Sequence, residues 1–226
     1  MKKVLTVNCS SEYWPHADFG ERCNDTRILW KSPEDVALVV YPGGSDVDPS
    51  LYGHKKHPRT GSSLARDKRD LAVFHQAKEK GVPCVGICRG GQFLTVASGG
   101  FMYQDVSGHA IGGTHLALTY DKKLISVTSS HHQMFGWPLP EGAQPLMWSF
   151  NRLSRWYETE PDVKVVPPPK ELEGVYYPHT ESLAVQWHPE WMEDGSKSVD
   201  YYKGLLEKFL RPLVDKRFKI AVPAQI

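Results

Sequence analysis

A chain of 226 residues with 40% hydrophobic and 23% charged side chains has apolar material for one sizeable core and is too short for two comfortable α/β domains. Its 27 basic and 26 acidic residues leave a formal net charge of +1, which offers no electrostatic footprint for nucleic acid or for an anionic membrane surface. No apolar run approaches the roughly 20 residues that span a bilayer, and the polar Asn8, Ser10, Ser11 and Glu12 follow the first apolar residues too soon for a signal peptide, so one cytoplasmic domain over residues 1–226 is expected.

Val4 to Val7 reads as a first strand. Val36 to Tyr41 is an almost unbroken apolar run, the pattern of a strand buried on both faces of a parallel sheet, and Pro42-Gly43-Gly44 ends it. Ala65 to Lys80 has helix-forming composition with Leu71, Phe74 and Ala77 on one face, and Gly81 stands where a helix ends. Pro83 to Ile87 is a second buried strand that runs straight into Cys88, and Gly90 to Ala97 then forms a helix stopped by Ser98-Gly99-Gly100. Further on, Leu124 to Thr128 and Leu183 to Trp187 are strand candidates. Pro161 to Lys170, with four prolines, reads as a loop, and Tyr201 to Leu213 as an amphipathic helix. The alternation predicts an α/β fold with a mainly parallel central sheet flanked by helices.

Gly86-Ile87-Cys88-Arg89-Gly90 has the G-x-C-x-G form of a nucleophile elbow. A nucleophile there sits on a strained strand-to-helix turn that pushes its side chain out over the sheet. The flanking glycines leave space that a Cβ would fill. The helix N-terminus favours thiolate, and the Arg89 amide points to where an oxyanion forms. Of the other cysteines, Cys84 lies within the strand and reads as plainly buried. Cys9, Cys23, Cys84 and Cys88 show no CxxC spacing, and a disulfide framework is not expected in a chain of this kind.

A thiolate nucleophile needs an imidazole to move protons and a carboxylate to orient that imidazole. Gln186-Trp187-His188-Pro189-Glu190 supplies both, since an i, i+2 pair on extended backbone points the same way and Pro189 restricts the chain between them.

These segments together resemble the class I glutamine amidotransferase superfamily, and more narrowly its γ-glutamyl-γ-aminobutyrate hydrolase-like branch. Tyr41-Pro-Gly-Gly-Ser-Asp-Val-Asp-Pro-Ser-Leu-Tyr-Gly53 resembles the branch's oxyanion loop. Gly86 to Gln92 resembles its elbow, Gly99 to Asp105 the stretch after the elbow helix, Ser129-Ser-His-His-Gln133 a looser motif near the substrate, and Gln186 to Glu190 its His/Glu motif. Their order and separation match as well.

The resemblance implies a flavodoxin-like fold and a catalytic triad of Cys88, His188 and Glu190. It implies an oxyanion hole from the amides of Gly44 and Arg89, and substrate contacts from Gly43, which shapes the turn, Gln92, Ser130 and His131. Cys88 would attack a γ-glutamyl carbonyl to form a thioester that water hydrolyses, with no cofactor. The partner would be a small γ-glutamyl substrate, either glutamine or a γ-glutamyl amine or peptide. Two alternatives stay open: a glutaminase that passes ammonia to a separate synthetase chain, since no ATP-binding loop motif is present, and a non-catalytic binding module on the same fold.

Residues 11–30 match no motif. His54-Lys55-Lys56-His57 and Arg66-Asp67-Lys68-Arg69 add positive charge near the oxyanion loop and are expected to face water. His109, His115, His131 and His132 raise the question of a metal, but they lack the spacing of a metal-binding helix, and no catalytic metal is expected. Trp148 and Trp156 with Arg152 and Arg155 are read as packing residues rather than a base-stacking surface.

Overall fold

The computed structural model describes residues 2–7 and 11–211. Nine strands build its central sheet: β1 (Lys3–Thr6), β2 (Glu21–Cys23), β3 (Val36–Tyr41), β4 (Cys84–Ile87), β5 (Ala110–Thr119), β6 (Leu124–Ser130), β7 (Gln144–Ser149), β8 (Leu172–Tyr177) and β9 (Ser182–Val185). Their order across the sheet is β2-β1-β3-β4-β9-β8-β7-β5-β6. From β2 to β9 every neighbour is parallel; from β9 to β6 every neighbour is antiparallel. The parallel block carries the run of buried apolar residues that announced it, with β3 reading Val-Ala-Leu-Val-Val-Tyr and β4 buried throughout.

The alternation of side chains along the strands divides the core between two faces. Val39, Tyr41 and Cys84 point to one face, whose core includes Leu29 of α1 (Ile28–Lys31), Phe74 and Ala77 of α2 (Leu64–Glu79) and Phe93 and Leu94 of α3 (Arg89–Ala97). Leu38, Val40, Val85 and Ile87 point to the other, against Tyr202, Leu205, Leu206 and Phe209 of α4 (Lys197–Phe209). Ser63 caps α2 and Ser196 caps α4, each accepting from a backbone amide three residues on.

Most predicted elements are present within a residue or two. Helix α4 starts at Lys197, four residues earlier than predicted, because Ser196 supplies its cap, and it ends at Phe209; residues 212 and 213 of the predicted helix lie outside the described residues. The predicted loop Pro161 to Lys170 holds a short strand, Val163–Lys164, which pairs with Tyr157–Glu160 before the prolines. The long β5 was missed: its glycines and its partly exposed residues, from Ala110 onward, carry no clean alternation. Cys23, Cys84 and Cys88 are free thiols, and Cys9 lies outside the described residues. No helix among the described residues is long and apolar enough to cross a membrane.

Candidate active site

Strands β3, β4 and β9 lie side by side and parallel, in register such that Tyr41 pairs with Gly86 and Ile87 with Val185. Their C-terminal ends therefore come out at one edge of the sheet. The residues that follow them are Pro42-Gly43-Gly44, Cys88 and Gln186-Trp187-His188. Three segments far apart in sequence converge there because the strand order puts them there, at the place where open α/β sheets carry their sites.

Cys88 sits at φ 50° and ψ −111° between β4 and α3, and 9% of it is exposed. A non-glycine residue at this φ is strained and persists only where its surroundings impose it. The imposing contacts come from the glycines. A Cβ on Gly86 would run into the Gly90 and Gly91 backbone, one on Gly90 into the Tyr41 backbone, and one on Gly91 into Val185. Absence of those carbons lets α3 press onto both β3 and β9, which turns Cys88 out at their ends. By contrast, Cys84 lies within the sheet, and burial pushes its thiol pKa far above the ordinary value, as expected of an inert core cysteine.

His188 is held by its backbone amide, which donates to Thr128 Oγ1 at 2.7 Å, and its Nδ1 lies 2.5 Å from Glu190 Oε1. The expected extended backbone is corrected here: Pro189–Trp191 is a 3₁₀ turn that begins at His188, so the pair closes across a turn. Burial opposes protonation of His188, but hydrogen bonds with Cys88 and Glu190 outweigh it and lift its pKa to about 9. The Trp191 ring, 62% exposed, stacks on the imidazole with centroids 3.6 Å apart and planes parallel. On another side stands Gly43, where a Cβ would meet His188 Cε1.

The Gly43-Gly44 peptide is anchored by Arg66, whose guanidinium donates to the Gly43 carbonyl at 3.2 Å. In a trans peptide that turns the Gly44 N–H to the opposite side. Gly44 has φ +138°, which favours glycine, and a Cβ on it would strike Arg66. Arg66 is thus a site residue that charge patterning assigned to water. The same correction applies to Asp67, which is fully buried. It accepts from the Asp48 amide at 2.8 Å and from the buried Arg89 guanidinium, which also grips Asp70. One ionic cluster therefore ties the elbow helix to the loop after β3. His57, expected at the surface, is buried with its ring 3.1 Å from Glu158.

Of the residues expected to touch substrate, Gln92 is buried at the start of α3 with its Nε2 3.5 Å from the Gln133 carbonyl, and Ser130 is exposed at the end of β6. His131 is a correction. It is 3% exposed, its Nδ1 lies 2.8 Å from Gln133 O, and its Nε2 faces Glu173 at 3.8 Å, so both nitrogens are directed into the protein. Its neighbour His132 turns the other way, to Asp46 at 3.3 Å. Three of the four histidines that raised the question of a metal, His109, His115 and His131, gather around Glu173. Residues 11–30 also have a role that no motif announced, since Trp14 Nε1 donates to the Glu190 carbonyl at 3.0 Å.

Residues 24–125 match the family described as Peptidase C26. The chain is 34% identical over 185 residues to a protein of Mycobacterium tuberculosis provisionally named a glutamine amidotransferase, covering 70% of this chain and 54% of that one. It is 30% identical over 175 residues to a protein of Lactococcus lactis provisionally named glutamine amidotransferase-like, covering 69% of this chain and 66% of that one. The chain thus spans between about half and two thirds of the length of these relatives. A solved glutamine amidotransferase of Thermotoga maritima shares the fold, with a TM-score of 0.56 at 18% identity over 92% of this chain and 84% of that one. The nine-stranded sheet and the sequence matches agree that the chain belongs to the class I glutamine amidotransferase-like superfamily.

Proposed function

We propose that this protein cleaves γ-glutamyl amide bonds with Cys88 as nucleophile, His188 as proton carrier and Glu190 as its orienter. The observation that carries the reading is the position of the His188 ring: one nitrogen is 2.5 Å from Glu190, and Cys88, strained at the elbow, joins Glu190 in raising the ring's pKa. With a pKa of about 9, His188 is an imidazolium at neutral pH, the counter-charge a thiolate needs.

The thiolate attacks the γ-carbonyl carbon, and the carbonyl oxygen takes up the negative charge. The Gly44 and Arg89 amides receive that oxyanion; among the described residues neither amide is paired with a protein acceptor. As the intermediate collapses, the C–N bond breaks, His188 gives its proton to the departing amine, and a γ-glutamyl thioester remains. His188 then takes a proton from water, whose oxygen attacks the thioester; the C–S bond breaks, freeing glutamate and restoring the Cys88 thiolate beside the His188 imidazolium. The peptide orientation set by Arg66 and the arrest of α3 by Arg89, Asp67 and Asp70 keep both amides in place before substrate arrives.

The reading is tested by measuring ammonia, amine and glutamate release from glutamine and from a panel of γ-glutamyl amides. Wild type is expected to release glutamate and to be labelled at Cys88 by an electrophilic glutamine analogue; Cys88→Ala is expected to do neither. Absence of both turnover and labelling in the wild type overturns the reading. Turnover of glutamine only on adding a synthetase chain would identify the ammonia-donor form of the same chemistry.

A further inference from the structure

The antiparallel half of the sheet buries a group of side chains that the proposed chemistry does not use. His109 precedes β5, His115 lies within it, His131 follows β6, and Glu173 is in β8. Backbone bonds bind the first and third together: the His131 amide donates to the His109 carbonyl at 3.1 Å, and Ser129 Oγ donates to the same carbonyl at 2.9 Å. Around Glu173 Oε1 stand His115 Nε2 at 3.0 Å, His109 Nδ1 at 3.4 Å and His131 Nε2 at 3.8 Å. The ligand atoms of His109, His115 and Glu173 all lie within 4.8 Å of one another. Four ligands at zinc–ligand distances of about 2.0–2.1 Å on a tetrahedron are separated by about 3.3 Å.

A second observation points the same way. Both carboxylate oxygens of Glu173, both ring nitrogens of His109 and of His115, and Nε2 of His131 are buried without an aligned hydrogen bond. Each such atom costs about 1–3 kcal/mol if it stays unsatisfied. His109 Nδ1, His115 Nε2 and His131 Nε2 thus stand close around Glu173 Oε1 without aligned hydrogen bonds, and a cation among them would give each of these atoms a partner.

The outer contacts also fit. His131 Nδ1–H donates to the Gln133 carbonyl at 2.8 Å, which leaves the Nε2 lone pair facing inward. His109 Nε2 is 3.3 Å from Glu171 Oε2, which leaves Nδ1 facing inward. Glu171 is itself fixed by the Leu153 and Ser154 amides at 2.7 and 2.8 Å and by Tyr157 Oη at 2.5 Å. A carboxylate behind a ligating imidazole orients the ring and raises its basicity. Glu171 and Glu173 together carry two negative charges, the amount that a divalent cation neutralises in a buried site.

We propose that His109, His115 and Glu173 hold a divalent cation of zinc type in a structural site, with His131 beside them, 3.8 Å from Glu173, as the fourth ligand. Three imidazoles and one carboxylate are a donor set suited to zinc, and four protein ligands leave no open position for substrate or reactive water. The cation ties the β5–β6 hairpin, the turn at residues 131–133 and β8 into one unit. Gln92 Nε2 of the elbow helix reaches the carbonyl of that turn, so the cation braces a segment packed against the elbow.

The site is tested on the whole protein, stripped with a chelator and then titrated with zinc and, separately, with cobalt(II). About one metal per chain by elemental analysis, a raised melting temperature, and tetrahedral cobalt bands without a thiolate-to-cobalt band support the site. Ligand loss in His115→Gln and in Glu173→Gln should weaken binding by roughly 100-fold or more, beyond the 10- to 100-fold typical of outer-contact changes. His115 is the least buried ligand, so its variant serves if Glu173→Gln fails to fold. No binding by the wild type at micromolar metal, with no change in melting, overturns the proposal and leaves a metal-free network of ion pairs. A thiolate-to-cobalt band that disappears in Cys88→Ala also overturns it, because the metal then sits on Cys88. Binding unchanged in the His115 and Glu173 variants overturns it as well.

Discussion

Two buried ionic clusters lie in the two halves of this protein, and they are balanced differently. In the parallel half, one guanidinium, Arg89, lies between Asp67 and Asp70, and all three are buried and hydrogen-bonded. In the antiparallel half, Glu171 and Glu173 face three imidazoles, and the atoms around Glu173 find no aligned partners. The first cluster carries its own permanent cation, since a guanidinium stays protonated throughout the accessible pH range. The second has only imidazoles, whose charge is conditional. A chain that needs a rigid frame behind its elbow has built it from covalently supplied charge on one side and from side chains that invite an external cation on the other.

The largest effect that sharpens this contrast separates chemistry from both frames. Cys88→Ala should lose roughly 10⁴-fold or more in turnover, while its unfolding midpoint in urea and its zinc affinity stay at the wild-type level. A loss of either along with activity would mean that the elbow and the clusters are not separable. Next, Arg89→Met removes the buried cation that bonds both Asp67 and Asp70, leaving Asp67 on the Asp48 amide and Asp70 beside Arg66. It should destabilise the fold by about 3–5 kcal/mol, and zinc should not restore the loss. A loss under about 1 kcal/mol would show that the two carboxylates relax into water, and that α3 is held by its glycines alone.

Glu190→Gln tests the third buried acid–base contact. His188 has its pKa raised from 6.5 to about 9, so its protonation stabilises the folded state fully below pH 6.5, and that stabilisation is lost as pH rises through about 9. The glutamine variant loses one of the two groups that raise the pKa. Its stability should therefore fall less than the wild type's across that window, and turnover should drop by about 10²-fold or more. His109 is common to both proteins, so the difference in melting temperature between them, followed against pH, isolates His188. A difference that stays flat across the window would remove Glu190 as the orienter.

Legibility in the sequence followed the same division. The parallel half was readable because its determinants are local. Val36–Tyr41 is apolar throughout, and Gly86, Cys88 and Gly90 fall within five consecutive positions whose backbone requirements are visible without a fold. His188 and Glu190 are two residues apart, although the turn that joins them was misjudged. The antiparallel half was opaque because its determinants are dispersed. His109, His115, His131 and Glu173 come from separate segments, and only the pairing of β5 with β6 and β7, and of β7 with β8, gathers them. Helical metal spacings do not describe ligands contributed by a sheet. The charge runs misled for a related reason: Arg66 and Asp67 sit in a polar stretch, yet helix α2 turns them inward to the loop after β3 and to Arg89.

The smallest effect concerns a contact that belongs to neither frame. Trp14 donates to the backbone carbonyl of Glu190, not to its carboxylate, so it acts on the His188–Glu190 contact only by holding the turn that presents it. Trp14→Phe keeps the ring's apolar bulk and removes the donor, which should cost about 1 kcal/mol of stability and at most about tenfold in turnover. A purely structural role would lower the melting temperature and leave the pH profile of turnover where it was. A positioning role predicts more: with the turn loosened, Glu190 holds the imidazolium less well, and the basic limb of the profile should move towards lower pH, in the same direction as in Glu190→Gln and by a smaller amount. If the limb stays fixed while stability falls, residues 11–30 pack against the site without tuning it. If it moves, the one segment without a motif is part of what sets the protonation of His188.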